Sequence, residues 1–189
     1  ANSVTSEMRS ESGGVIKGGS GTAELRIPPL ALVTTAGSEA VVTINPTLSL
    51  ASDTGARPVG EGYDITAADT SGEEIQRLEG DATLFLTYDA TALSDSGLTP
   101  EDIRPALFDE ASGTWQVISD YVLDTDNTRF IITIRHFTTF ALTTDAPTET
   151  PVPTPTTLPT ATPGTPVATS VPATSTSAPL FSPTATATA

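Results

Sequence analysis

The chain contains one histidine, His136, and two positions further on stands Thr138. An imidazole beside a hydroxyl is the smallest pair that can activate an oxygen nucleophile, the histidine taking the hydroxyl proton as general base. Residues two apart on a strand share a face, so the spacing permits the pairing. Both lie in the most strongly patterned run of the chain, Thr128 to Leu142. Period-two alternation places Phe130, Ile132, Ile134, His136, Thr138, Phe140 and Leu142 on one face and Ile131, Thr133, Phe137 and Thr139 on the other. This pattern predicts a single long central strand, covered on both sides because both faces carry apolar groups. Regular alternation through His136 and Thr138 predicts unstrained backbone, in which the two are packing or rim residues.

Other groups with chemical potential are simpler in kind. Asp124, Asp126 and Asn127 offer oxygen ligands at a spacing calcium loops use, but the glycine and distal glutamate of such loops are missing. A solvated turn is the expectation, and no metal or cofactor is assigned. Glu73–Glu74, Glu101–Asp102 and Asp109–Glu110 are adjacent carboxylates; sequence neighbours on a strand point to opposite faces, so these read as surface charge. Trp115 is either a platform for a sugar ring or a hairpin-stabilising core residue, the latter being the expectation.

The elements that must position these residues are short strands. Ala23–Ile27 alternates with Leu25 and Ile27 inward and stops at Pro28-Pro29. Ala40–Ile44 closes at Asn45-Pro46, and Gly62–Ala67 puts Tyr63, Ile65 and Ala67 on one face. Ile75–Leu78 and Ala82–Tyr88 read as two strands divided by a Glu79-Gly80-Asp81 turn. One helical turn is expected where Thr99 can cap Pro100-Glu101-Asp102. Ile103–Phe108 and Thr114–Ile118 form a hairpin closed through Gly113, and Asp124–Asn127 turns the chain into the strand that holds His136. About eight strands with almost no helix predict an all-β fold, an antiparallel β-sandwich.

Composition divides the chain. All eight Lys and Arg, and every acidic residue but Glu149, precede residue 146. The expected organisation is an N-terminal arm or edge strand at 1–12, a sandwich at 13–145 and a Thr/Pro-rich low-complexity stalk at 146–189. A formal charge of -15 with no basic run excludes nucleic acid as a partner. Cysteine is absent, which excludes a disulfide framework and cysteine-based zinc sites. No apolar run approaches the roughly 20 residues that cross a bilayer as a helix. The chain opens on Ala1 without a methionine or signal-like segment, as a mature secreted form would.

Frequent proline in 146–189 removes backbone donors and fixes φ near the polyproline II value, predicting an extended, semi-rigid stalk. Its threonines, Thr148, Thr150, Thr154, Thr156, Thr157, Thr160, Thr162 and Thr165, are candidates for O-glycosylation. No Asn-X-Ser/Thr acceptor exists: Asn45 precedes Pro46, and Asn2 and Asn127 lack the hydroxyl two residues on. Leu180-Phe181, the bulkiest apolar pair of the stalk, is the natural anchor for docking on a neighbouring subunit.

Three runs together resemble bacterial surface domains related to the ZU5 sandwich: Leu98–Ile103, Phe108–Trp115 and His136-Phe137-Thr138-Thr139-Phe140-Ala141-Leu142. Ile27-Pro28-Pro29-Leu30-Ala31-Leu32 is similar to a short motif near the start of such domains, with Leu30 where glycine is expected. The resemblance covers most of 13–145 and implies the sandwich fold. Some ZU5 domains cut themselves between a His-Phe pair and a serine, the position Thr138 holds here. It implies an alternative role in which His136 takes the Thr138 proton, the oxygen attacks the Phe137 carbonyl, and water opens the resulting ester; such a reaction needs a strained bond. The leading expectation is a non-enzymatic extracellular or cell-surface structural protein that self-associates into a filament or surface layer, with an O-glycosylated stalk. Self-cleavage between Phe137 and Thr138 is the alternative, and a carbohydrate- or protein-binding module displayed on a stalk is a further one.

Overall fold

The computed structural model describes residues 2–34, 38–48, 50 and 55–145. Contacts divide the chain into two units, 1–148 and 149–189. The stalk, its threonine candidates from Thr148 to Thr165 and the Leu180-Phe181 anchor lie outside the described residues.

Among the described residues, eleven strands form two antiparallel sheets. The six-stranded sheet contains β1 (Val4–Arg9), β4 (Glu39–Thr47), β5 (Ala56–Asp69), β11 (Thr139–Asp145), β7 (Ile103–Asp109) and β8 (Thr114–Val117), in that spatial order. The five-stranded sheet runs β2 (Gly14–Gly18), β3 (Ala23–Ile27), β6 (Arg77–Thr87), β10 (Arg129–His136) and β9 (Tyr121–Asp124). Residues 1–12, expected as an arm or an edge strand, supply β1, which pairs with β4 at the edge of the sandwich.

The core lies between the sheets. Val42, Ile44, Ile65, Phe140 and Leu142 from one side and Leu25, Leu84, Leu86, Phe130 and Ile132 from the other belong to one buried cluster. At about 25 cal/mol per Å² of apolar surface removed from water, this burial is what orders the sheets. Gly18 is part of the fit: a Cβ there would stand 2.5 Å from Ile44 Cγ2, so the glycine lets β2 and β4 approach. A smaller cluster of Ala56, Ala106, Ala141 and Trp115 covers the outer face of the six-stranded sheet, with Trp115 tilted against Phe108 at 5.2 Å. Trp115 is therefore a packed residue and no exposed platform.

Several element boundaries differ from expectation. β6 is one strand through Glu79-Gly80-Asp81, because the Glu79 N–H is taken by the Ala31 carbonyl (2.9 Å), beside which a Cβ on Gly80 would stand 3.4 Å from the Ala31 methyl. β4 continues through Pro46 to Thr47; its outer partner β1 ends opposite Ile44, so nothing on that edge needs the missing proline N–H. Thr99 caps the 3-10 turn Pro100–Asp102 in a capping box, as expected. A second helix, α1 (Ala90–Asp95), was not expected; the Asp89 carboxylate caps it by accepting from Thr91 and Ala92 N–H groups at 2.9 and 3.0 Å.

The Pro28–Ala31 segment is a turn closed by an Ala31 N–H to Pro28 carbonyl bond of 3.3 Å. Leu30 occupies its third position with φ 63°. A type II turn demands positive φ there and normally places glycine, with proline one residue earlier, where Pro29 stands. The position where the resemblance calls for glycine is thus one whose backbone needs it.

Candidate functional site

The expected central strand from 128 to 142 does not exist as one element. β10 ends at His136 in the five-stranded sheet, and β11 begins at Thr139 in the six-stranded sheet. Phe137 and Thr138 are the crossing between them. Register against β6 is already lost before the crossing: Ile134 pairs with Ala82, but His136 with Arg77. In consequence His136 is exposed and no longer continues the buried face of Phe130, Ile132 and Ile134.

The crossing is tied to both sheets. The Phe137 N–H donates to the Gln76 carbonyl (3.1 Å), and the Thr138 carbonyl accepts from Ile65 N–H (3.1 Å). The Thr138 hydroxyl donates to the Phe108 carbonyl at 2.8 Å. A hydroxyl has one proton, so in this geometry it is committed to Phe108 and not to the imidazole. Phe137 is half-buried against the core cluster.

His136, Phe137 and Thr138 line a surface cleft of about 470 Å³ together with Asp64, Phe108 and Asp109. Positive φ among non-glycine residues is confined, among the described residues, to Leu30 and Thr128, so left-handed backbone strain is not found at 136–138. The sequence joined His136 to Thr138 by parity along a strand; the structure joins them by a cleft wall instead. Phe108 and Asp64, which reach the crossing from β7 and β5, were not identifiable from sequence, because their approach depends on the pairing of β11 with both strands.

The other candidates take structural places. Asp124 accepts from the Asn127 N–H (3.2 Å), from Asn127 Nδ2 (2.9 and 3.0 Å) and from Arg129 Nε (2.9 Å). Those donors, Asn127 first, hold its carboxyl below the usual range. Asp126 is exposed at the same turn. Asp109 accepts from Ser112 Oγ (2.8 Å), Ala111 N–H (3.0 Å) and Gln116 Nε2 (2.9 Å), which together close the β7–β8 loop and lower its pKa. Asp102 is lowered by the Thr99 N–H of the capping box. Each is a turn or cap acceptor, and Glu73, Glu74, Glu101 and Glu110 are exposed.

A scan against protein-family models finds no match to this chain, and a search of curated proteins finds no significant match.

Proposed function

We propose that this chain is a non-enzymatic, extracellular structural protein: an acidic, ZU5-like β-sandwich carried on an O-glycosylated Thr/Pro stalk and assembling with copies of itself into a filament or surface layer. The observation that carries the non-enzymatic part is the Thr138 hydroxyl, donated to the Phe108 carbonyl in a backbone without left-handed strain. The stalk and its sugars rest on the Thr/Pro composition after residue 146. Mass spectrometry of the denatured secreted protein tests both at once, the expected result being one chain heavier than the bare sequence. A mass equal to the bare sequence removes the glycans. Negative-stain images at high concentration test assembly, and dispersed monomers alone would remove the filament.

One observation favours a second reading. Phe137–Thr138 is not a bond within a regular ladder but the crossing between two sheets, with the lone histidine beside it. In that reading the domain cuts itself there, and the denatured protein yields a fragment that begins at Thr138. Both pieces would stay together in the native state, since β11 keeps its ladders to β5 and β7. Denaturation before separation is therefore essential.

A further inference from the structure

The outer face of the five-stranded sheet differs in charge from the rest of the chain. Alternation sends Leu25, Leu84 and Ile132 into the core and their strand neighbours outward. The outward set carries five basic side chains, Lys17, Arg26, Arg77, Arg129 and Arg135, against four carboxylates, Glu24, Glu79, Asp81 and Asp124. This face is therefore +1 in a chain of -15, which leaves -16 for the remainder, where Arg9, Arg57 and Arg104 are the only bases. Two such chains repel over most of their surfaces, and the repulsion is least where one of them presents this face.

Phe85 lies at the centre of the face, with the Arg26 guanidinium 4.6 Å and the Arg129 guanidinium 4.9 Å from its ring centroid. The two arginines belong to β3 and β10, the strands on either side of β6, so they bracket the ring. Glu24 and Asp124 pair with them. Ion pairs near the surface are weak, and a guanidinium carries five N–H donors, so both arginines can take a further carboxylate. Val15 and Val122, on the two edge strands of the same sheet, are each more than half exposed and supply apolar contact to either side of the charged centre.

The complementary charge stands elsewhere on the same chain. Of the described connections between strands, the one from β6 to β7 carries the most carboxylates: Asp89, Asp95, Glu101 and Asp102, all exposed, with no base among them. Asp89 caps α1 and Asp102 completes the capping box, whereas Asp95 and Glu101 serve neither cap. We propose that the outer face of the five-stranded sheet docks the Asp89–Asp102 segment of a second copy of this chain, whose carboxylates meet Lys17, Arg26 and Arg129 around Phe85. Face and segment are different surfaces, so the contact is heterologous and repeats from copy to copy, as a filament or a ring requires. This rests on the self-association proposed above and names the surfaces that make it.

Lys17 is the only lysine of the chain, and it lies on this face. A carbodiimide, which joins an amine to a carboxylate touching it, thus reports what the face meets. Equal amounts of unlabelled and heavy-isotope-labelled full chain are mixed, treated, digested and read by fragmentation mass spectrometry, alongside sedimentation of the untreated protein. The expected product is a mixed-isotope peptide that joins Lys17 to Asp89, Asp95, Glu101 or Asp102. Links to Glu24, 2.9 Å from Lys17 in its own chain, carry a single isotope and are told apart. Two paired variants test the same contact from both sides. Arg26→Gln with Arg129→Gln on the face, and Asp95→Asn with Glu101→Gln on the segment, are each expected to weaken association by about tenfold or more. Mixed at a concentration where neither associates alone, they are expected to form dimers that grow no further, one intact face holding one intact segment. If the wild type associates but Lys17 shows no mixed-isotope link to the segment, or if natively folded variants associate as the wild type does, or the mixture gives no dimers, this contact is overturned and self-association stands. A wild type that sediments as a monomer at every concentration overturns both.

Discussion

Leu30 offers a test in which the usual order of two residues should reverse. Alanine normally stabilises a protein over glycine by about 0.4–1 kcal/mol where both fit, because glycine leaves the unfolded chain more freedom. At position 30 the backbone is left-handed, φ 63°, a conformation that costs a residue with a Cβ about 1–2 kcal/mol. Subtracting the glycine entropy leaves glycine ahead of alanine by roughly 0.5–1 kcal/mol. Comparing Leu30→Gly with Leu30→Ala cancels the contacts of the leucine itself, which are few, the side chain being 70% exposed. Both variants keep the Leu30 N–H bond to the Ser10 carbonyl (2.6 Å), since neither removes the donor. Leu30→Val should be the least stable, since a β-branched side chain tolerates positive φ worst. Urea midpoints at constant m-value measure the order, and a domain of this size should show melting differences of about 2–4 °C per kcal/mol. Alanine equal to or above glycine would refute the turn assignment.

Three other changes follow from the same geometry. Gly18→Ala places a methyl 2.5 Å from Ile44 Cγ2 and should destabilise by about 1–3 kcal/mol through overpacking between the sheets; an unchanged urea midpoint would contradict it. Thr138→Ala removes the hydroxyl that satisfies the Phe108 carbonyl and should cost about 1 kcal/mol, while the denatured protein runs as a single chain before and after the change; conversion of two fragments into one would establish cleavage instead. Asp81, Asp102, Asp109 and Asp124 are all held below the usual carboxylate range, by Arg135, Thr99, Ser112 and Asn127 respectively as the first cause. A carboxyl with a lowered folded pKa adds stability above its unfolded value near 4, and that stability is lost as pH falls through the folded value. Urea midpoints should therefore decline below about pH 4, and midpoints that stay flat down to pH 2 would contradict the assignments.

Where local chemistry decides an element, the sequence was sufficient. Leu25, Ile27, Tyr63, Ile65 and Ala67 are buried as alternation requires, Gly113 takes φ 69° in the hairpin, and Thr99 caps its turn with Asp102. Where a distant partner decides, it was not. Gly80 looked like a turn because nothing in its neighbourhood shows that Ala31, far along the chain, packs against it and supplies an acceptor for Glu79. Pro46 looked like a terminus because the length of β1, which frees that edge, is settled by residues 4–9. The α1 helix did leave a local trace, the Asp89 cap and Gly97 beyond its end, but six residues carry too little period to stand out.

The crossing at Phe137–Thr138 escaped for a more general reason. Alternation along a strand records which side chains face the core, not which sheet carries them. β10 points Phe130, Ile132 and Ile134 inward from one sheet, and β11 points Phe140 and Leu142 inward from the other, toward the same buried cluster. A chain that folds over the rim of a sandwich through an even number of steps keeps its parity, so the period-two pattern runs on through the bend as though nothing happened. The argument that regular alternation implies an unstrained continuous strand therefore fails in any two-sheet fold. What distinguishes the crossing is the identity of its residues: Arg135 and His136 are polar at consecutive positions, and both are exposed, which a strand buried on both faces would not allow. The same reasoning puts the weight of the self-cleavage question on the Thr138 hydroxyl, whose direction toward Phe108 is set by β11 lying beside β7 and by nothing in the local sequence.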